Sequence, residues 1–275
     1  MLLFNLSGLK TRLRHKNWII VLIIFSLLLL PKPIIAGAFK VVPVKLHLDS
    51  KKSTTSIRII NQGEEEVTLQ LDAKEWSQND MGADIYQQTK DIVFFPKIAT
   101  IEKGEERIIR IGYQKKADAK NEKTYRLFLE ELPVAKPGET SLRFALRMVV
   151  PIFISPLKEI RNLSIENVQF SEGKISVKVK NNGNVHSIVG KLSIAGIDRF
   201  GRKVFNVEGR GWYVLLGAAK TFELEIPEEK CIKAEKMMLA VEVDRDTLKK
   251  TLNFEQIQCG DGKDDEKDAG GQSGN

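Results

Sequence analysis

Short runs in which apolar and polar residues alternate fill most of the chain, and this period of two predicts β-strands rather than helices. In the first half the runs cover residues 41–48, 54–60, 67–76, 92–95, 107–113, 124–132 and 141–154. Turn signals such as Asn61-Gln62-Gly63 separate them. About seven strands in a stretch of this length favour an immunoglobulin-like β-sandwich. The pattern restarts after Pro156 and includes a last run at residues 251–257. The sequence therefore predicts an all-β protein of two immunoglobulin-like β-sandwich domains, residues 39–155 and 156–259.

The run at residues 141–154 is the most distinctive strand, because large apolar side chains alternate along it. The stripe on one face consists of Leu142, Phe144, Leu146 and Met148. Only residues 133–140 separate this run from the run at 124–132, so the two predict a hairpin. Two interpretations of the stripe stay open from the pattern. It is either the core face of an ordinary strand or the face of an edge strand that pairs with another polypeptide.

The two ends of the chain predict segments outside the fold. Basic residues precede the apolar run 18–30, and the small residues 36–38 follow it, which is the order of a secretory signal peptide. The apolar run is shorter than the about 20 residues of a membrane-spanning helix, although an uncleaved anchor stays an alternative. We therefore predict a signal peptide at residues 1–38 and an exported protein. The segment 260–275 is acidic overall and contains no large apolar side chain, and this composition predicts a disordered tail.

The charge of the chain argues against a nucleic-acid partner. The net charge is +7, but residues 1–38 contain five basic residues and no acidic ones, so the remainder is near +2. In that remainder the basic residues are interleaved with acidic ones and form no stripe. We therefore expect no binding to nucleic acid.

Residue types that carry catalysis are sparse after residue 38. The histidines there, His47 and His186, each stand alone in the sequence, and there is no nucleophile elbow or glycine-rich phosphate loop. Cys231 and Cys259 show no zinc-ligand spacing, and in an exported protein they are most simply a disulfide. We predict that the protein is not an enzyme and has no metal, no cofactor and no small-molecule substrate.

Three groups of residues together resemble the periplasmic pilus (fimbrial) assembly chaperones of the chaperone-usher pathway. They are Val44-Lys-Leu-His-Leu48 with Ser56-Ile-Arg-Ile-Ile-Asn61, Phe95-Pro-Lys-Ile98 with Ile108-Ile-Arg-Ile111, and Glu122-Lys-Thr-Tyr-Arg-Leu127 with Pro151-Ile-Phe-Ile-Ser-Pro156. In the second half, Gly211-Trp-Tyr-Val-Leu-Leu-Gly217 is similar to the family more loosely. The resemblance implies two immunoglobulin-like domains set at an angle and a periplasmic location. It also implies two partners, a pilin-like fibre subunit and an outer-membrane usher.

The resemblance further implies donor-strand complementation, in which a chaperone strand fills the groove of a subunit that lacks its final strand. The stripe Leu142, Phe144, Leu146 and Met148 would then bind the subunit. The family also holds the subunit's terminal carboxylate with two basic residues. Lys45 matches the first of these by position, whereas the second position is occupied by Pro151. Arg143 and Arg147 alternate with the stripe and are the substitute candidates for this carboxylate anchor.

Other functions stay open at this point. The chief alternative is an exported two-domain immunoglobulin-like structural or adhesive protein whose stripe is simply core. A weaker one is an envelope enzyme or solute-binding module. The sequence also leaves open whether the free protein covers its stripe by forming a homodimer.

Overall fold

The computed structural model describes residues 39–132, 145–171, 173–226, 228–244 and 246–253. These residues belong to one compact unit that begins at Phe39. Their regular structure is almost entirely β, and the described ranges contain a single short helix, α1 (Glu228–Cys231). No helix within those ranges has the length and apolar character needed to cross a membrane.

The first half of the described chain forms ten strands. They are β1 (Phe39–Val42), β2 (Leu46–Leu48), β3 (Thr54–Asn61), β4 (Val67–Gln78), β5 (Asp84–Gln88), β6 (Ile92–Phe95), β7 (Ile98–Ile101), β8 (Glu106–Tyr113), β9 (Lys123–Glu131) and β10 (Arg147–Ile154). One sheet has the order β1-β3-β8-β6, and the other has the order β2-β10-β9-β4-β5, with β7 beside β4. Ile57 and Ile109 of the first sheet and Leu69 and Leu127 of the second are at most 1% exposed. Two sheets that share a core in this way form a β-sandwich.

The second half repeats this architecture. Its strands are β11 (Leu163–Ser171), β12 (Lys174–Asn181), β13 (Ser187–Ile197), β14 (Lys203–Arg210), β15 (Tyr213–Val214), β16 (Ala219–Glu225), β17 (Lys236–Val243) and β18 (Asp246–Asn253). They form a sheet of order β11-β12-β16 and a sheet of order β14-β13-β17-β18, with β15 beside β13. The predicted fold class, two immunoglobulin-like β-sandwiches, is confirmed.

The same asparagine turn occurs in both sandwiches. At the end of β3, the Asn61 side-chain amide donates to the carbonyls of Glu65 and Ile101, and its oxygen accepts from the Gly63 N–H. At the end of β12, Asn181 makes the equivalent bonds to Val185, Val214 and Gly183. Each amide satisfies main-chain groups that the ladder leaves unpaired. The turn signal Asn61-Gln62-Gly63 and the corresponding turn Asn181-Asn182-Gly183 are therefore each held by a buried asparagine side chain.

Three predicted strands differ from the structure. The run 141–154 forms strand β10 only from Arg147, and residues 141–144 lie outside the described residues. The run 41–48 is not one strand but two, because the chain leaves one sheet at Pro43 and joins the other at Leu46. Proline has no N–H to continue a ladder. The last strand is β18, which begins at Asp246, so the start predicted at residue 251 is too late. The alternation in β18 is weak because only Leu252 is buried there.

The two sandwiches are joined by more than a linker. Trp76 of β4 and Phe153 of β10 belong to the same buried cluster as the core of the second sandwich. The predicted domain boundary at residue 155 lies in the segment between β10 and β11, and it stays a prediction. The predicted signal peptide and the predicted acidic tail lie outside the described residues.

Candidate functional site

The apolar stripe on β10 leaves the core of the first sandwich partway along the strand. Val150, Ile152 and Ile154 are at most 1% exposed. On the same face, Met148 is half-buried, and Leu146 is 38% exposed. This face of the strand is therefore core from Val150 onward, whereas Leu146 and Met148 of the stripe are not fully buried. Its remaining predicted members, Leu142 and Phe144, lie outside the described residues.

One edge of β10 is open over part of its length. The inner edge pairs with β9 from Arg147 to Ile154. The outer edge pairs only from Ile152 to Ile154, where β2 runs parallel to it. None of the described residues pairs with the outer edge between Arg147 and Pro151. This stretch is an unpaired strand edge, on which an added strand can form main-chain hydrogen bonds. We call it the open edge.

The ladder with β9 shows which main-chain groups face the open edge. The Glu131 N–H donates to the Leu146 carbonyl over 3.0 Å, and bonded pairs recur at every second residue of an antiparallel ladder. The main-chain groups of Arg147, Val149 and Pro151 therefore point away from β9. Pro151, which has no N–H, occupies an edge position where proline is tolerated. Arg147 and Val149 thus supply the N–H donors of the open edge.

Lys45 stands where the open edge ends. It directly precedes β2, and Leu46 of β2 pairs with Ile152 in parallel register. Lys45 therefore lies beside the outer edge of β10 at the level of Pro151. Its side chain is partly buried, and its Nζ lies 5.8 Å from the centroid of the Tyr213 ring. This end of the open edge therefore carries a positive charge.

Arg147 lies at the opposite end of the open edge. Its guanidinium is stacked over the Phe128 ring at 4.6 Å. Lys45 is level with Pro151, because Leu46 pairs with Ile152, and four residues of strand at about 3.3 Å each place Arg147 about 13 Å from that end. The structure does not bring Lys45 and Arg147 together, and Arg143 lies outside the described residues. The roles of these three residues as a carboxylate anchor stay predictions.

Arg126 of β9 lies on the same face of the sheet as Pro151, and it was not predicted from the sequence. It is the cross-strand partner of Pro151 and is only 8% exposed. Its guanidinium lies 3.8 Å from the centroid of the Trp76 ring, donates to the Tyr86 hydroxyl over 2.6 Å and pairs with Asp84 at 3.3 Å. The signal in the sequence was an arginine inside an otherwise apolar run. Its partners come from distant strands, so the pattern alone did not reveal the cluster.

Asp84 stays ionised in this cluster and connects it to the second sandwich. Burial by itself would raise the pKa of Asp84, but hydrogen bonds from Gln78 and Trp212 and the charge of Arg126 outweigh burial and lower it. The Trp212 indole N–H donates to Asp84 over 3.3 Å. Gln78 also donates to the Tyr213 carbonyl over 3.0 Å. The end of the β4–β5 hairpin is therefore bonded directly to Trp212, which precedes β15, and to Tyr213, with which β15 begins.

A second link between the sandwiches is a buried pair of Glu122 and His186. Glu122 accepts from the His186 main-chain N–H over 2.7 Å and contacts the imidazole Nδ1 at 2.9 Å. Because a carboxylate only accepts, Nδ1 carries the proton in this contact. The imidazole also stacks on Phe153 of β10, with ring centroids 3.7 Å apart. We call Glu122, His186 and Phe153 the joint.

His47 and His186, which stand alone in the sequence, lie near each other in the structure. Their rings lie 6.3 Å apart, and both stack on Phe153. Partial burial lowers the pKa of His47, and the neighbouring charge of Lys45 lowers it further. His47 is therefore neutral at neutral pH. The two histidines are far apart in the sequence and meet only because β2 and β13 approach from different sandwiches.

Comparison with known proteins identifies the first sandwich. Residues 38–159 match the family described as Pili and flagellar-assembly chaperone, PapD N-terminal domain. This stretch of the chain belongs to that chaperone family. No curated protein matches the sequence.

Solved structures of low sequence identity share the fold of the chaperone domain and the second sandwich. One is a chain of the CsuC-CsuE chaperone-tip adhesion subunit pre-assembly complex from archaic chaperone-usher Csu pili of Acinetobacter baumannii. It is 18% identical with a TM-score of 0.55, over 78% of this chain and 98% of that chain. The Pseudomonas aeruginosa CupB2 chaperone is 15% identical with a TM-score of 0.50, over 78% and 100%. A chain of the Salmonella enterica SafA pilin complex with the SafB chaperone is 15% identical with a TM-score of 0.50, over 78% and 96%.

The chaperone domain and the second sandwich together line a cavity of about 1000 Å³. Its wall carries both signs of charge, with Lys45 and Arg161 among the basic residues and Glu159 and Asp244 among the acidic ones. Arg161 pairs with Glu159 at 3.0 Å and with Asp244 at 3.6 Å. Within the described ranges, no group of three or more His, Cys, Asp or Glu side chains is arranged to hold a metal ion.

Cys231 lies at the end of α1 in the second sandwich. Its side chain is 0% exposed, and the described ranges contain no free cysteine. Cys259 lies outside the described residues. The disulfide between Cys231 and Cys259 stays a prediction.

Proposed function

We propose that this chain is a periplasmic chaperone that binds, folds and caps pilin-like subunits by donating strand β10 and delivers them to an outer-membrane usher. The observation that carries the proposal is the open edge of β10 beside an apolar stripe that leaves the core. This activity is binding rather than catalysis, so it requires no cofactor and no reacting side chain.

Side chains and main chain both have to contribute to this binding. Each apolar side chain of the stripe gains about 1.5–3 kcal/mol when it is fully buried. Four of them give about 6–12 kcal/mol, whereas association costs an estimated ~4–15 kcal/mol. Main-chain hydrogen bonds to Arg147 and Val149 supply the remainder, since each adds about 0.5–1.5 kcal/mol net. A partner must therefore have both an apolar groove and an unpaired strand edge, which is the condition of a sandwich that lacks a strand.

The charge of Lys45 favours one direction of the added strand. A strand parallel to β10 continues the line of β2 and ends with its carboxylate beside Lys45. An antiparallel strand would place its amino group there, and two like charges 4 Å apart repel by about 1–4 kcal/mol near a protein surface. The geometry therefore supports a subunit that binds through its C-terminal strand, with Lys45 as an anchor for its terminal carboxylate.

Two of the similar structures are complexes of a chaperone with a subunit, a tip adhesion subunit in one and a pilin in the other. They support a partner of the same class for this chain. The usher and the periplasmic location rest on the family to which residues 38–159 belong.

The test is a pull-down from the periplasm after coexpression with the small exported proteins encoded beside the gene. We compare the wild type with Leu146→Arg, which places a charge in the uncovered part of the stripe. The matched control is Ile108→Arg, which alters an aliphatic residue that is 53% exposed on the other sheet. Recovery of a subunit by the wild type and the control, but not by Leu146→Arg, supports the proposal. If the wild type recovers no subunit, the structural or adhesive alternative replaces it.

A further inference from the structure

We propose that Tyr213 of the second sandwich is the second anchor of the terminal carboxylate and donates its hydroxyl hydrogen to the oxygen that Lys45 leaves free. This inference rests on the proposed function, because it concerns a strand bound at the open edge. It assigns to the second sandwich a direct contact with the subunit.

The Tyr213 ring is held firmly at the end of the open edge. Trp76 meets it edge-on at 5.3 Å, and Trp212 meets it edge-on at 5.7 Å. The rings of Phe153 and His186 lie 5.8 and 5.7 Å away on the β10 side. A ring fixed by four aromatic neighbours loses little rotational freedom when a ligand binds to it.

The hydroxyl of Tyr213 is available for a ligand. Among the described residues, none forms a hydrogen bond with it, whereas the Tyr86 hydroxyl is bonded to both Arg126 and Asp84. Tyr213 is half-buried, and burial raises its pKa, although the charge of Arg126 acts in the opposite direction. The phenol therefore stays protonated and acts as a neutral hydrogen-bond donor.

A second donor is needed because a carboxylate has two oxygens and Lys45 is a single point charge. Pro151 has neither a charge nor an N–H at this end of the edge, and neutral His47 adds no charge. The Nζ of Lys45 lies 5.8 Å from the Tyr213 ring centroid. The two residues therefore lie beside the same end of the open edge, and in this proposal the carboxylate accepts from each of them over about 2.7–3.0 Å.

The experiment measures binding of a defined pair of peptides to the mature protein by fluorescence anisotropy. Both are fluorescein-labelled octapeptides of alternating valine and threonine, one with a free C-terminal carboxylate and the other with a C-terminal amide. We expect the wild type to prefer the carboxylate. Tyr213→Phe should weaken binding of the carboxylate peptide roughly tenfold, the effect of one hydrogen bond to a charged group, and leave the amide peptide nearly unaffected. Tyr86→Phe is the matched control, because it removes a hydroxyl that is already bonded within the protein, and it should keep the wild-type preference.

The outcomes separate this inference from the proposed function. If Tyr213→Phe binds the carboxylate peptide as tightly as the wild type, or if the wild type does not distinguish the two peptides, the role of Tyr213 is overturned. The proposed function is then decided by the Leu146→Arg pull-down alone. If that pull-down recovers no subunit with the wild type, the proposed function fails as well.

Discussion

Replacing Glu122 by alanine should destabilise the whole protein, because this carboxylate is a buried link between the two sandwiches. Glu122 is 5% exposed and His186 is 3% exposed. The substitution leaves the main-chain N–H and the Nδ1–H of His186 without their acceptor. Removing one partner of a buried, hydrogen-bonded pair costs about 3–5 kcal/mol. For a protein of this size each kcal/mol lowers the melting temperature by about 2–4 °C, so we expect a decrease of about 6–20 °C.

Thermal unfolding followed by circular dichroism measures this effect. Glu105→Ala is the control, because Glu105 is an exposed glutamate on the same sandwich, and it should change the stability by less than about 0.5 kcal/mol. A double-mutant cycle with His186→Ala then isolates the pair. We expect the second substitution to cost much less once the first is present. A melting temperature of Glu122→Ala within about 2 °C of the wild type would refute the argument that the joint holds the sandwiches together.

Two further predictions concern the stability of the protein. Gly82→Ala should lower the free energy of unfolding, measured by chemical denaturation, more than Gly104→Ala does. Both glycines have φ of +75°, but a Cβ at Gly82 would lie 2.7 Å from the Ala219 carbonyl oxygen, whereas a Cβ at Gly104 meets nothing within 4 Å. Equal losses of unfolding free energy would contradict the close packing of this turn on the second sandwich. Burial opposes the ionisation of Asp91, but hydrogen bonds, including one from Lys115, outweigh burial and lower the pKa of this carboxyl. The ionised Asp91 therefore stabilises the folded state above about pH 4, and this stabilisation is lost as the pH falls through the lowered pKa. Asp91→Asn should therefore make the melting temperature less dependent on pH below about 4, and an unchanged acid profile would count against this assignment.

The sequence predicted those parts of the fold that depend on local pattern. β4 and β9 were found close to their observed positions. The alternation in β4 is strong because one face of the strand is buried, whereas β9 is buried on both faces from Tyr125 to Leu129 and is marked by a mostly apolar run. β5 was missed because its residues are exposed or half-buried on both faces, so no alternation marks it. The break at Pro43 depends on a change of sheet, which a pattern of single residues does not encode.

The site was less predictable because its contacts join residues that are distant in the sequence. The stripe was visible, but the open edge follows from how far β2 extends along β10. Arg126 meets aromatic rings at positions 76, 86 and 212, and the joint connects positions 122, 153 and 186. Tertiary packing alone sets these distances, and for that reason His186, which looked ordinary in the sequence, is part of the joint.

The joint and the open edge are opposite ends of one strand, and this connects the second sandwich with binding. Ile152 to Ile154 are paired on both edges, and Phe153 is fixed against His186. The stretch from Arg147 to Pro151 is paired on its inner edge, so its backbone is already extended before a partner arrives. Fixing the backbone of one residue costs about 1–2 kcal/mol of conformational entropy. A strand that is already ordered before binding therefore loses little further entropy when it pairs with a partner. The second sandwich therefore supports binding by holding β10 rigid, in addition to any contact that Tyr213 makes.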